Sequence, residues 1–314
     1  MLRRLDASAF AFVMATGIVS VAALLQGLPA LSETLLWVAC LAWVTLALAL
    51  SLRGFRQATS TRPRFASFAF VAATAVLGTR FALMGHTAVA FALLVLAASS
   101  WLALLPRRRG GERADGGWFL IIVGTESLAV LASLLAQRWG EQFLDAALAC
   151  WLLGVCLYPA VAAAIGAELH HRPRFGPDLW ITMGALAIAT LAGTEILLAG
   201  RTLHALDPLR GWLRGSNLVT WALASAWILP LAAAELRHRA DWRNYSGRWS
   251  FVFPLGMYAA ATQQLARATP LGPLAGLARV FFVIALVAWA LVSFGFIAAR
   301  FRTSRVGYND RNTI

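Results

Sequence analysis

Phe253 and Pro254 stand side by side inside an apolar run long enough to span a membrane. Proline removes a helical hydrogen bond and bends the helix, and a ring carried at such a bend can close a narrow passage by sterics and dewetting. Among the ionisable groups inside other apolar runs, Arg80, Glu126 and Glu195 stand out. A charge at the centre of a membrane helix costs about 2.5–3.5 kcal/mol on insertion scales, so each group needs a partner or, for the acids, a proton. Protonated, Glu126 or Glu195 would be a candidate proton carrier or hydrogen-bond donor. Arg80 bridged to either acid is the structural alternative. All three sit in one short pattern, Gly78-Thr79-Arg80, Gly124-Thr125-Glu126 and Gly193-Thr194-Glu195. The hydroxyls of Thr79, Thr125 and Thr194 could serve a passing anion, although a threonine in such a helix also bonds back to its own backbone.

Positioning these groups takes helices of about 20 apolar residues each. Runs of that kind fall near 7–28, 31–52, 65–84, 87–105, 117–136, 143–165, 178–200, 215–236, 249–267 and 273–299. The first run follows Arg3 and Arg4, as a secretory leader would. Its length and the return of its motif in the third run mark it instead as a helix of the mature protein.

Of the 314 residues, 60% are hydrophobic and 13% charged, against about 25% charged in ordinary soluble domains. The expectation is an all-α integral membrane fold, one polytopic domain over 1–314 with short tails at 1–6 and 301–314. All 27 basic residues are arginine, and they exceed the 14 acids by 13. In a soluble protein that surplus would point to nucleic acid; here it is first a topology signal. Twenty arginines fall in the tails and in the loops joining even to odd runs, and seven on the opposite side. Both termini are therefore expected in the cytoplasm, with the protein in the inner (plasma) membrane and anionic lipid, not nucleic acid, beside the basic loops. Cys40, Cys150 and Cys156 lie in apolar runs without metal-ligand spacing, and the five histidines scatter over loops. There is no nucleophile elbow, Gly-rich phosphate loop or Walker sequence, so neither an enzyme, an ATP-driven pump nor a cofactor is expected.

Weak internal repetition says more. Phe10-Ala11-Phe12-Val13-Met14-Ala15-Thr16 in the first run returns as Phe68-Ala69-Phe70-Val71-Ala72-Ala73-Thr74 in the third. In the ninth, Phe251-Val252 and Gly256 match Phe12-Val13 and Gly17. These matches, like Gly17, Gly78, Gly124, Gly184, Gly193, Pro254 and Gly256, all fall on odd-numbered runs, where small residues and kinks favour close packing around a cavity. Odd runs are mutually parallel in a two-sided topology. Five tandem helical hairpins around a central pore, odd helices inside and even helices outside, is the arrangement this implies. Phe12, Met14, Phe70, Thr79, Thr125, Thr194 and Gly256 are then the pore-lining candidates.

The segments Phe12-Val13-Met14-Ala15-Thr16-Gly17-Ile18-Val19-Ser20 and Trp249-Ser250-Phe251-Val252-Phe253-Pro254-Leu255-Gly256 resemble the first and ninth helices of the tellurite-resistance/dicarboxylate transporter family. That family includes bacterial TehA, plant slow anion channels, and fungal malate and sulfite transporters. The resemblance implies five hairpins around a pore, a homotrimer with one pore per subunit, and transport of small anions of the C4-dicarboxylate, sulfite, chloride or nitrate class. It assigns the gate to Phe253 with Pro254, and to Gly17 the space that accommodates the ring. The acids Glu126 and Glu195 depart from a pathway built for anions. If they face it, a proton-coupled exporter is the alternative to a channel.

Overall fold

The protein is described here by a computed structural model covering residues 9–52, 64–105, 113–172, 175–204, 206–237 and 245–309. Ten long helices occur among them: α1 (Phe10–Leu25), α2 (Pro29–Ser51), α3 (Phe68–Leu83), α4 (Thr87–Leu104), α5 (Leu120–Trp139), α6 (Glu141–His171), α7 (Trp180–Leu203), α8 (Arg210–Arg237), α9 (Trp249–Ala268) and α10 (Leu274–Asn309). Eight are long and apolar enough to cross a bilayer. Of the other two, α1 is an apolar helix of 16 residues, and α9 carries Gln263, Gln264 and Arg267 in its last turns. The tail expected at 1–6 and the arginine-bearing stretches 53–63, 106–112 and 238–244 lie outside the described residues. At the other terminus α10 stays helical through Asn309, where a tail is expected from 301.

The odd helices form a closed ring. Helix α1 packs on α3, α3 on α5, α5 on α7, α7 on α9, and α9 returns to α1. Each even helix packs on the odd helix before it as a hairpin. Burial separates the two layers: 94% of the apolar stretch of α7 is buried inside the molecule, against 17% in α4. Apolar side chains such as Leu41, Leu48, Val280, Leu291 and Phe294 face outward from even helices, as hydrocarbon surroundings allow and water would not.

The hairpins are tight where the chain leaves an odd helix. Gly27, Gly85 and Gly140, at φ +78°, +82° and +107°, follow α1, α3 and α5 with a positive φ that side chains rarely allow, and His204 ends α7 in the left-handed conformation at φ 56°. At the opposite ends, short 3-10 turns lead into α3 (Arg64–Ser67), α5 (Gly116–Phe119), α7 (Pro177–Leu179) and α9 (Tyr245–Arg248). Contacts at these N-terminal ends join Phe10 to Phe70, Phe12 to Trp249 and Trp180 to Phe251, with ring centroids 4.9, 4.7 and 4.7 Å apart. The odd helices therefore run parallel.

A recurring hydrogen bond ties the layers. The indole N–H of Trp43 in α2 donates to Thr74 of α3 (2.9 Å), Trp101 of α4 to Thr125 of α5 (2.8 Å), Trp221 of α8 to Thr262 of α9 (3.0 Å), and Trp289 of α10 to Thr16 of α1 (3.0 Å). In the remaining position Trp151 of α6 donates to the carbonyl of Ala189 in α7 (2.9 Å), and Thr190 exchanges a hydrogen bond with Thr220 of α8. Thr74 and Thr125 also donate to the carbonyls of Phe70 and Ile121, so one hydroxyl is satisfied as donor and acceptor together. Each tryptophan reaches the odd helix after its own hairpin, and the last bond closes α10 onto α1. Interhelical bonds of this kind average about 0.6 kcal/mol in a membrane protein, which makes the set a modest but cyclic restraint.

Candidate functional site

On the axis of the ring lies a cavity of about 10 Å³ lined by all five odd helices: Ile18 and Val21 of α1, Val76 and Thr79 of α3, Ser127 and Val130 of α5, Ile188 and Leu191 of α7, and Met257 of α9. A single water needs about 10–15 Å³ of such volume, so this cavity holds one water at most. Only Thr79 and Ser127 bring side-chain polar atoms to it, and the Ser127 hydroxyl donates to Val123 of its own helix at 2.7 Å. The axis is thus closed by an apolar collar.

Phe253 is fully buried on α9, one turn before Met257 and so on the same helical face. Its neighbours seat the helix. A Cβ added at Gly184 of α7 would stand 3.0 Å from the Pro254 ring, and one added at Gly256 would stand 3.1 Å from Ile18 of α1. Absence of side chains at these two glycines lets α9 approach α7 and α1. Gly17 faces elsewhere: its missing Cβ would meet Val76 of α3 at 2.8 Å, and no atom of Phe253 lies within 4 Å of that point.

The other candidates divide by face. Met14, buried on α1, precedes Ile18 and Val21 on the collar stripe, and Thr79 lines the cavity itself. Phe70 packs edge-on against Phe10 and stacks with Trp43 at 6.0 Å, and Phe12 packs against Trp249, so both rings serve helix contacts at the N-terminal end. Thr125 faces α4 through Trp101. Thr194 is buried on α7 with its hydroxyl unpartnered. Ile18, Val21, Val76, Ser127, Val130, Ile188, Leu191 and Met257 are collar residues that the sequence reading did not single out. Helical spacing carries a signal for two of them, since Val76 is three residues before Thr79 and Met257 four after Phe253.

Arg80 is bridged to neither Glu126 nor Glu195, the structural alternative for these groups. Arg80, 3% exposed, donates through Nε to Ser32 of α2 (2.8 Å), and its Nη1 has no partner. Glu195, at the C-terminal end of the ring, accepts from Gln264 of α9. Gln264 in turn accepts from Arg267 (3.0 Å), whose other terminal nitrogen donates to the Leu25 carbonyl of α1 (3.0 Å). Gln26 donates to Gln263 (3.1 Å) alongside. A polar clasp thus joins α7, α9 and α1 just beyond the collar. Glu126 turns the other way: it is fully buried between α5 and α6, pressed against the backbone of Gly154, with both carboxyl oxygens unpartnered. It meets α6 at Gly154 and is not among the side chains that line the axial cavity.

At the N-terminal ends a second set of polar contacts holds the turns. The Gly116 N–H donates to Asp178 (2.8 Å), and Arg248, almost fully buried, pairs with Glu235 of α8, which also receives the Trp180 indole at 3.4 Å.

Comparison with known proteins places this architecture. The sequence profile of the family described as voltage-dependent anion channel matches residues 4–297. An uncharacterized membrane protein of Mycobacterium tuberculosis, in strains CDC 1551 / Oshkosh and ATCC 25618 / H37Rv, is 34% identical over 143 residues, a stretch that is 43% of this chain and 72% of that protein.

Proposed function

The chain belongs to the voltage-dependent anion channel family, and from that premise we propose that it moves small anions along the axis of the five odd helices, with Phe253 and the apolar collar holding the path shut. The observation that carries this reading is the collar itself: every odd helix contributes to one narrow, almost wholly apolar constriction. Such a constriction blocks ions by refusing them water, and opening it requires the facing side chains to part. Phe253 is a fully buried ring one turn before Met257 on α9, and the proline beside it removes a helical hydrogen bond at the place where that face can swing. The substrates the reading favours are small anions of the chloride, nitrate, sulfite or C4-dicarboxylate class, the protein sits in the inner (plasma) membrane with cytoplasmic termini, and its assembly is a homotrimer with one path per subunit.

A second reading, proton-linked export, rests on Glu195 alone, because Glu126 faces α6. Glu195 lies beyond the collar within reach of Arg267 through Gln264, a position where a proton or an anion entering the path would disturb the clasp.

Anion uptake into liposomes separates the two. With chloride, nitrate, sulfite or malate outside and no pH gradient, Met257→Ala should accelerate uptake of at least one anion over wild type. Uptake that occurs only under a pH gradient, and is lost in Glu195→Gln, would replace the channel reading with the proton-linked one.

A further inference from the structure

Arg80 is a guanidinium enclosed in the protein with part of its hydrogen-bonding capacity unused. We propose that it is a binding station for the transported anion at the C-terminal end of the collar, the anion accepting a hydrogen bond from Nη1; this rests on the transport reading above and adds a site to it.

The arrangement holds the side chain in place while leaving that nitrogen free. Nε donates to Ser32 Oγ at 2.8 Å, Ser32 Oγ donates to the Ser20 carbonyl at 2.6 Å, and Ser20 Oγ donates back to the Ser32 carbonyl at 2.6 Å. Helices α1, α2 and α3 are thereby locked around one edge of the guanidinium. The serines are neutral, and among the described residues no carboxylate lies within ion-pair distance of Arg80; Glu33, the acid whose charge reaches it, is exposed on α2. A buried cation with a bare N–H is costly unless a counter-charge is supplied. An anion supplies it. Arg80 stands at the level of the path, because Thr79, the residue before it, and Val76, one helical turn before it, both line the axial cavity. Arginine suits the task, since its charge does not depend on pH and its planar N–H groups match either a halide or the oxygens of an oxyanion. A role as a simple staple for Ser32 predicts no anion at all.

Bromide is the probe. In wild-type protein prepared in sodium bromide, anomalous density should appear at hydrogen-bond range of Arg80 Nη1, and the thermal melting point should rise with bromide or chloride concentration. Arg80→Gln should remove both the density and the salt-dependent rise. In a Phe253→Ala background it should also raise the half-saturating anion concentration for flux by about tenfold or more, the equivalent of losing one hydrogen bond to a charged group. Arg80→Lys, which retains the charge, should recover part of the saturation. Bromide bound elsewhere but never at Arg80 in wild type would overturn the proposal, whether or not Arg80→Gln folds. So would an unchanged saturation curve in a folded Arg80→Gln protein. If Phe253→Ala carries no anion flux but bromide still occupies Nη1, the site stands and the transport reading falls.

Discussion

Glu126 carries a carboxyl group into the α5–α6 contact, where neither oxygen meets a donor and Gly154 leaves it room. The charged form would be unsupported there, so the side chain's contribution is shape and position, not traffic along the axis. Glu126→Gln is therefore expected to leave anion flux and its response to a pH gradient within about twofold of wild type, with effects of this size under 0.5 kcal/mol; uptake measured in liposomes checks this, and abolished uptake in a folded protein would return Glu126 to the mechanism. Gly154→Ala should be harmful for the same geometric reason. Its new methyl would meet the Glu126 carboxyl group in a packed interface, and overpacking of this kind costs about 1–3 kcal/mol, visible as a lowered melting temperature in detergent. The sequence shows one Gly-Thr-charge pattern three times, yet the three copies do different jobs. Thr125 takes a hydrogen bond from Trp101, Thr79 lines the axis, and Thr194 does neither. Local sequence cannot reveal this, because which face of a helix looks inward is set by the neighbours it packs against. The same ignorance of rotation made an Arg80 bridge to Glu126 look plausible when α5 in fact turns that acid toward α6.

The tryptophan bonds connect each even helix to the odd helix of the following hairpin, so neighbouring hairpins are coupled by side-chain chemistry as well as by packing. A double-mutant cycle tests one link directly. Trp101→Phe and Thr125→Val should each destabilise by roughly 1 kcal/mol, and the double variant by less than the sum, with a coupling near the roughly 0.6 kcal/mol typical of interhelical bonds in membranes. Strict additivity in the melting data would mean that the hydrogen bond contributes nothing beyond the packing of each residue. Helix number and positions are legible in the sequence, because apolar runs of membrane length announce themselves without knowledge of neighbours. The repeat of Phe10–Thr16 in Phe68–Thr74 is legible too, and its threonines Thr16 and Thr74 prove to be equivalent tryptophan acceptors. The latch as a whole is not. Its partners are separated by 31, 24, 41 and 273 residues, and one of five positions uses a backbone carbonyl, so no fixed spacing marks it.

Five parallel helices, each covered by an antiparallel neighbour, enclose one axis, and the anion path proposed above runs along it. Along it the polar clasp of Glu195, Gln264 and Arg267 lies at one end, Phe253 toward the other, and the apolar collar between them. In the account proposed here the clasp and Arg80 receive the anion while the collar and Phe253 decide whether it passes. Gln264→Ala should loosen α9 from α7 at the clasp and raise anion leak where the collar is weakened, yet leave a closed wild-type collar tight; a fluorescence assay of chloride entry into vesicles, run with Gln264→Ala and Gln264→Ala/Met257→Ala, distinguishes the two. The most direct measurement is ionic current through purified protein in planar bilayers, wild type against Phe253→Ala, under an anion gradient at equal pH. Since lowering a barrier by about 1.4 kcal/mol raises a rate about tenfold, removal of the ring is predicted to increase current by about that factor or more, with reversal at the anion's equilibrium potential. Equal currents in the two proteins, or a current that reverses at the cation potential, would contradict an anion path closed by Phe253.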